Sequence, residues 1–178
     1  MMSKRANLIP FDQTEDTSSF EVEAVIEQDD TSLLLSYSLV GDISSLVIPK
    51  SVSQPKRTEG LYRHTCFEMF LLDSSGKYLE WNFSPSGDWC IFNFDKYRTR
   101  SSHTFATEAS FRIYKTSMSA DSLSLKVNLH LNEIKLKATR LGVFAVLEHA
   151  NKKLSYWALG HGKEKADFHD AKFYAISL

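Results

Sequence analysis

The sequence predicts an all-β protein: a two-sheet antiparallel β-sandwich of jelly-roll-like form. Three observations carry that expectation. About ten short runs are apolar or alternate apolar and polar residues with period two, as strands do. Polar, turn-forming stretches separate them. No βαβ alternation, internal repeat or low-complexity segment occurs along the 178 residues.

Length and composition set the frame. A chain of 178 residues suits a single domain. At that size folding buries roughly 70% of the unfolded surface, enough for a full core without covalent staples. The apolar fraction of 43% and the charged fraction of 24% are those of ordinary globular proteins. A net charge of −1 with mixed signs leaves no electrostatic footprint for nucleic acid or an anionic membrane. Cys66 and Cys90 both fall inside predicted strands and read as two buried thiols, with a disulfide as the alternative. The N-terminal residues lack the apolar core of a secretory leader and no transmembrane run follows, so the expectation is a soluble cytoplasmic protein. Residues 1–18 are polar and read as a flexible arm, with 19–178 as the sandwich domain.

The strands follow in order. Residues 20–26 (FEVEAVI) place Phe20, Val22, Ala24 and Ile26 on one face, and 33–40 (LLLSYSLV) alternates likewise. A short apolar run at 46–48 stops at Pro49, and the polar stretch 49–60 carries two prolines and reads as a surface loop. Residues 65–72 (TCFEMFLL) are almost continuously apolar, as a central strand buried on both faces is. Residues 78–98 (YLEWNFSPSGDWCIFNFDKYR) read as a β-hairpin with a loop of about five residues. Its first strand sets Leu79, Trp81 and Phe83 against Glu80, Asn82 and Ser84. Its second sets Cys90, Phe92 and Phe94 against Trp89, Ile91, Asn93 and Asp95. Further strands are expected over 109–115, 123–131, 143–149, 155–159 and 173–178, while 132–140 fits a short helix or an irregular crossing equally.

Glu68 is the most informative single residue. It interrupts an apolar strand, and a buried carboxylate costs several kcal/mol unless it is paired or hydrogen-bonded. It therefore either lines a polar cavity or meets an arginine, for which Arg63 and Arg98 are the candidates. Glu80, Asn82 and Asn93 project from the hairpin, beside rings that Tyr62, Trp89, Tyr97 and Trp157 could supply. Carboxylates and amides next to aromatic rings suit a polyhydroxylated ligand, whose hydroxyls hydrogen-bond and whose C–H face stacks. Equally, Trp and Tyr can fill the rim of a β core with their polar ends wet.

The six histidines show neither HExxH nor a Cys-His pair at zinc spacing. His161 and His169 share the loop 160–170 with Asp167, a set that could bind metal or cap the sandwich end by hydrogen bonds. Glu68 and Glu80 could form the two-carboxyl pair of a glycosidase. No GxSxG elbow occurs, and neither cysteine sits in a nucleophile signature.

Three blocks together, LYRHTCFEMFL from Leu61, NFSPSGDWCIFNFDKYR, and SYWALGHGKEKADFHD, resemble the DOMON-like domains related to the family-9 carbohydrate-binding modules. They span most of residues 61–170. The resemblance implies a β-sandwich of two antiparallel sheets that binds a sugar or a haem on a concave face or at a sheet end. In the sugar-binding relatives two rings sandwich a terminal sugar, while carboxylate, amide and arginine groups hold its hydroxyls. Tyr62 then stands where a tryptophan is expected, Glu68 matches the carboxylate, Trp157 is the second ring and Arg98 the arginine. The haem-binding relatives ligate iron with a methionine and a histidine, which would be Met69 with His161 or His169. Relatives of both kinds are usually exported, and the absence of a leader departs from them.

The expectation is thus a non-catalytic module for a small polyhydroxylated ligand, most simply a carbohydrate, with a b-type haem domain as the alternative. A small glycosidase-type enzyme or a ligand-free scaffold stands behind those. The candidate ligand-binding residues are Tyr62, Glu68, Glu80, Asn82, Trp89, Arg98, Trp157, His161 and His169. No cofactor is required; haem and calcium, the latter near Asp88, Asp95 or Asp167, are left open.

Overall fold

The computed structural model describes residues 2–178, with Lys115 described by its backbone only. Two antiparallel sheets pack face to face. The first contains β1 (Met2–Pro10), β2 (Glu21–Gln28), β3 (Ser32–Val40), β8 (Phe111–Met118) and β9 (Ser122–His130). Its order is β1-β2-β3-β9-β8. The second contains β4 (Cys66–Asp73), β5 (Tyr78–Phe83), β6 (Trp89–Lys96), β7 (Thr99–Arg100), β10 (Ala138–Glu148) and β11 (Leu154–Ala158). Its order is β7-β6-β5-β4-β10-β11, and β12 (Ile176–Ser177) pairs with β10 below β11. The β-sandwich expected from the alternation is therefore the fold, and that alternation is the reason: the three inner strands of the first sheet, β2, β3 and β9, each bury every second residue.

Residues 2–10 are not a loose arm. Met2 to Leu8 pair with β2, and Ile9 and Pro10 then pair with Ala158 and Trp157 of β11. One strand thus belongs to both sheets and closes that corner of the sandwich. A single helical turn, Glu15–Ser18, follows. The stretch 132–140 resolves into a short 3-10 turn, Leu131–Glu133, and the start of β10.

The main core lies between the sheets. Val22, Ala24, Ile26, Leu33, Leu35 and Tyr37 of the first sheet meet Phe67, Met69, Leu71, Leu79, Trp81 and Phe83 of the second. Each large apolar side chain so buried contributes roughly 1.5–3 kcal/mol. The Tyr37 ring stacks on Phe67, and its hydroxyl crosses the core to donate to the Glu68 backbone carbonyl.

A second apolar layer covers the outer face of the second sheet. Cys66, Phe70, Leu72, Tyr78, Cys90, Phe92, Phe94, Phe144 and Val146 form it, beneath Phe168 and Tyr174 from the C-terminal segment. This layer makes β4 and β5 buried on both faces. Cys66 and Cys90 are free buried thiols within it rather than a disulfide.

Candidate ligand-binding site

Period two decides what reaches the outer face of the second sheet. On β4 the residues Phe67, Met69 and Leu71 enter the core, so Cys66, Glu68, Phe70 and Leu72 point outward. On β5 Tyr78, Glu80 and Asn82 point outward, and on β6 Cys90, Phe92 and Phe94 do. The register sets Glu68 opposite Asn82, and sets Glu80 opposite Phe70 on one side and Phe92 on the other. Glu68 and Glu80 are consequently diagonal neighbours on adjacent strands, with Cα atoms about 7–8 Å apart.

Above them opens a cleft of about 340 Å³. Glu68 and Glu80 lie at its floor, Phe92, Phe94, Val146 and Tyr156 along its sides, and Tyr62, Arg98, Arg100, Phe168 and His169 around the remaining wall and rim. Tyr62 sits on a 3-10 turn, Leu61–Arg63, entered through Gly60 at φ 82, a left-handed conformation that a side-chain-bearing residue adopts only at a cost. Phe168 and His169 come from the loop after β11. That loop is pinned where Asp167 accepts a hydrogen bond from the His169 backbone and Asp170 caps the turn Ala171–Phe173.

The two carboxyls are held differently. Asn82 Nδ2 donates to Glu80 Oε1 at 2.6 Å, and His169 Nε2 lies 3.7 Å from Glu80 Oε2. Glu68 is 3% exposed, yet its carboxylate has no hydrogen bond or ion pair among the described residues. Burial, with the neighbouring Glu80 second, holds the Glu68 carboxyl well above the usual carboxylate range. Burial lifts Glu80 to about 7, against the Asn82 hydrogen bond and the Arg100 and Arg98 charges.

His169 is kept neutral. Burial, helped by Arg98, pushes its pKa down to about 4. The Arg98 backbone N–H donates to Tyr78 Oη at 2.9 Å, so the tyrosine proton goes to His169 Nδ1, 2.8 Å away. The imidazole then carries its proton on Nε2, directed at Glu80. Arg98 itself sits at φ 51, in the tight turn between β6 and β7. Its guanidinium donates to Asp167 Oδ1 at 2.8 Å and to Tyr97 Oη at 3.1 Å. Burial alone would raise the Asp167 pKa, but the bonds from Tyr97 and Arg98 outweigh it and lower it. Arg100 lies over the Phe92 ring at 3.7 Å and the Phe94 ring at 4.9 Å.

The structure thus brings Tyr62, Glu68, Glu80, Arg98 and His169 to one cleft, with Asn82 buttressing Glu80 beneath it. Three expected residues are elsewhere. The hairpin register pairs Phe83 with Trp89, so Trp89 shares the core face and packs edge-on against Phe111. Trp157 pairs with Ala145 and also faces the core, where its Nε1 donates to Ser155 Oγ at 2.9 Å. His161 hydrogen-bonds the Ile9 carbonyl at 2.8 Å against Phe11, tying its loop to β1. Neither arginine proposed for Glu68 pairs with it: Arg63 lies over Tyr62, and Arg98 serves Asp167.

The sequence reading missed Phe92, Phe94, Arg100, Val146, Tyr156 and Phe168. The two phenylalanines share parity with Cys90, so strand pairing would have found them. Met69 is wholly buried in the inter-sheet core, on the opposite side of the sheet from His169, which rules out Met69 with His169 as a haem-ligating pair. No cluster of three or more His, Cys, Asp or Glu side chains able to hold a metal occurs among the described residues. Asp88 is engaged by the Lys56 backbone N–H and the Thr58 hydroxyl, and Asp167 by Arg98, Tyr97 and the His169 backbone. No helix among the described residues is long and apolar enough to cross a membrane.

No family model matches the sequence, and no curated protein matches it. Solved structures do share the fold. A Bacteroides uniformis protein proposed to bind carbohydrate superposes with a TM-score of 0.65 at 13% identity, over 97% of this chain and 83% of that one. A family-9 carbohydrate-binding module from Caldicellulosiruptor kristjanssonii in complex with cellotriose gives 0.57 at 12% identity, over 90% and 74%. A family-9 module from the same organism in complex with glucose gives 0.53 at 12% identity, over 86% and 71%. At these identities the likeness is one of fold.

Proposed function

We propose that this chain is a non-catalytic carbohydrate-binding module whose site is the cleft on the outer face of the second sheet. One observation carries the reading: Glu68 is buried, unpaired among the described residues, and faces an open cleft. A carboxyl in that position costs stability in the free protein, and a ligand that donates hydrogen bonds to it recovers the loss. Glu80 and the neutral His169 stand beside it as further hydrogen-bonding groups. Tyr62, Tyr156 and Phe168 offer rings for the C–H faces of a sugar, while Arg100 already covers Phe92. The sandwich shared with sugar-binding modules supports the reading through fold alone.

Titration calorimetry of the pure protein against monosaccharides and short oligosaccharides, preceded by a glycan array, tests it. Binding with a Kd tighter than about 1 mM, worth about 4 kcal/mol, is the expected result. Glu68→Gln should weaken it at least about tenfold. Absence of binding to every mono- and oligosaccharide at millimolar concentration would overturn it.

A further inference from the structure

The floor of the cleft carries two carboxyls side by side, and no cation forms an ion pair with Glu68 among the described residues. Glu68 has no partner among the described residues, and Glu80 has the Asn82 amide on one oxygen and a long 3.7 Å approach from His169 on the other. Around them stand the Tyr174 hydroxyl, buried and without a hydrogen-bond partner among the described residues, the His169 Nε2–H, and the Cys66 thiol, which turns to Asn82 and the Phe67 carbonyl. None of these supplies positive charge to the floor.

The nearby arginines act on Glu80 only from a distance, and neither pairs with it or with Glu68. The Arg98 guanidinium is committed to Asp167 and Tyr97. Arg100 lies flat on Phe92 and Phe94 and forms no ion pair among the described residues. Both arginines are exposed, so solvent and salt weaken their reach into the floor. A sugar hydroxyl brings one proton to donate and no charge. A protonated amine brings three donors and a full positive charge, enough to engage Glu68 and Glu80 together. Tyr156 and Phe168 along the walls suit a cation as well as a sugar face.

We infer that Glu68 and Glu80 together form a subsite for a protonated primary amine, so that the ligand of this cleft is an amino sugar with a free amino group. The inference rests on the sugar-binding reading and narrows it. N-acetylation removes the charge and two of the three donors, so an acetylated amino sugar loses the subsite. An ammonium group between the two carboxyls also forces off the protons they hold in the free protein, which a neutral sugar does not do.

Calorimetry of the full chain at pH 6, in two buffers of different ionisation enthalpy, tests this with four probes: glucosamine, glucose, N-acetylglucosamine and methylammonium chloride. Glucosamine should bind at least about tenfold more tightly than glucose or N-acetylglucosamine. Its binding should release roughly one proton or more. Glu68→Gln and Glu80→Gln, near-isosteric changes made separately, should each abolish the preference for the amine. Glucose binding as tightly as glucosamine, or glucosamine binding without proton release, overturns the amine subsite and leaves the sugar-binding reading standing. Methylammonium binding as tightly as glucosamine, with no glucose binding, supports the amine subsite and overturns the sugar reading. Failure of all four probes to bind overturns the amine subsite.

Discussion

Tyr78 and His169 are joined by a 2.8 Å hydrogen bond between residues 91 positions apart, one on a central strand and the other in the loop after β11. That bond fixes the imidazole tautomer and closes one wall of the cleft. It is extended on the other side by the Arg98 backbone N–H, so a single phenol organises both the tight β6–β7 turn and the loop bearing Phe168.

Tyr78→Phe therefore leaves the Arg98 N–H and His169 Nδ1 without their partner. A loss of about 1–2 kcal/mol is expected by urea denaturation. Burial holds the Tyr78 hydroxyl at about 12, so this loss should be the same throughout the neutral and mildly alkaline range. The variant's loop should also exchange its backbone amides faster, measured by hydrogen exchange at residues 166–170.

Trp157, the ring the family resemblance pointed to, lies outside the cleft. It is 2% exposed, sits between the sheets and bonds Ser155, which in turn reaches His149 Nε2 at 2.8 Å. Trp157→Ala should cost about 3–5 kcal/mol in denaturation. Trp157→Phe should leave any sugar affinity within about twofold, whereas Tyr156→Ala, on the cleft side of the same strand, should weaken it. A loss of affinity in Trp157→Phe with stability intact would place the ligand elsewhere.

This contrast shows what the sequence made legible. Strict alternation in β2, β3, β5 and β9 determined which residues face inward, and it put Glu80 and Asn82 on one face without any structure. The lone acid in the apolar run of β4 stood out for a different reason, the cost of burying a carboxylate, which by itself left a polar cavity and an arginine partner equally open. The strand SYWAL carries Tyr156 and Trp157 on opposite faces, both aromatic, so only its register with Val146 and Ala145 distinguishes wall from core. Trp89 is the same case across the hairpin. Residues 2–10 hide their strand because only Ala6 and Leu8 are buried on it, and pairing at a corner, not burial, makes it a strand. Arg100 carries no pattern signal; its position comes from the tight turn through Arg98.

Gly142 occupies the position opposite Phe70 on β10, beneath the outer aromatic layer. A Cβ there would lie 2.7 Å from Phe144 Cε2 and 2.7 Å from Tyr174 Cδ1. Both rings are wholly or almost wholly buried, so neither can swing clear cheaply. Gly142→Ala should destabilise the protein by about 1–3 kcal/mol in thermal or urea unfolding. Gly76→Ala is the matched comparison: it has open space around its Cβ direction but a φ of 91, so its cost is that of backbone strain in the turn alone.

The unpaired acid makes a prediction about pH in the ligand-free protein. The folded-state pKa values of Glu68 and Glu80 lie above the unfolded value of 4.5, Glu80 at about 7. Between 4.5 and those values the native state holds more protons than the unfolded chain, so stability falls as pH rises. The slope approaches about 1.4 kcal/mol per pH unit for each carboxyl. His169 acts in the opposite sense, since its folded pKa of about 4 lies below the unfolded 6.5, and it opposes the loss only between those limits. Above pH 6.5 the carboxyls act alone. Glu68→Gln removes one of them without altering shape. The variant should match the parent near pH 4 and exceed it in stability at pH 7, as read by urea denaturation across that range. A parent that instead gains stability over the variant as pH rises would mean that Glu68 has a cationic partner within the folded chain, and the cleft would lose the acid that the sugar and amine readings both depend on.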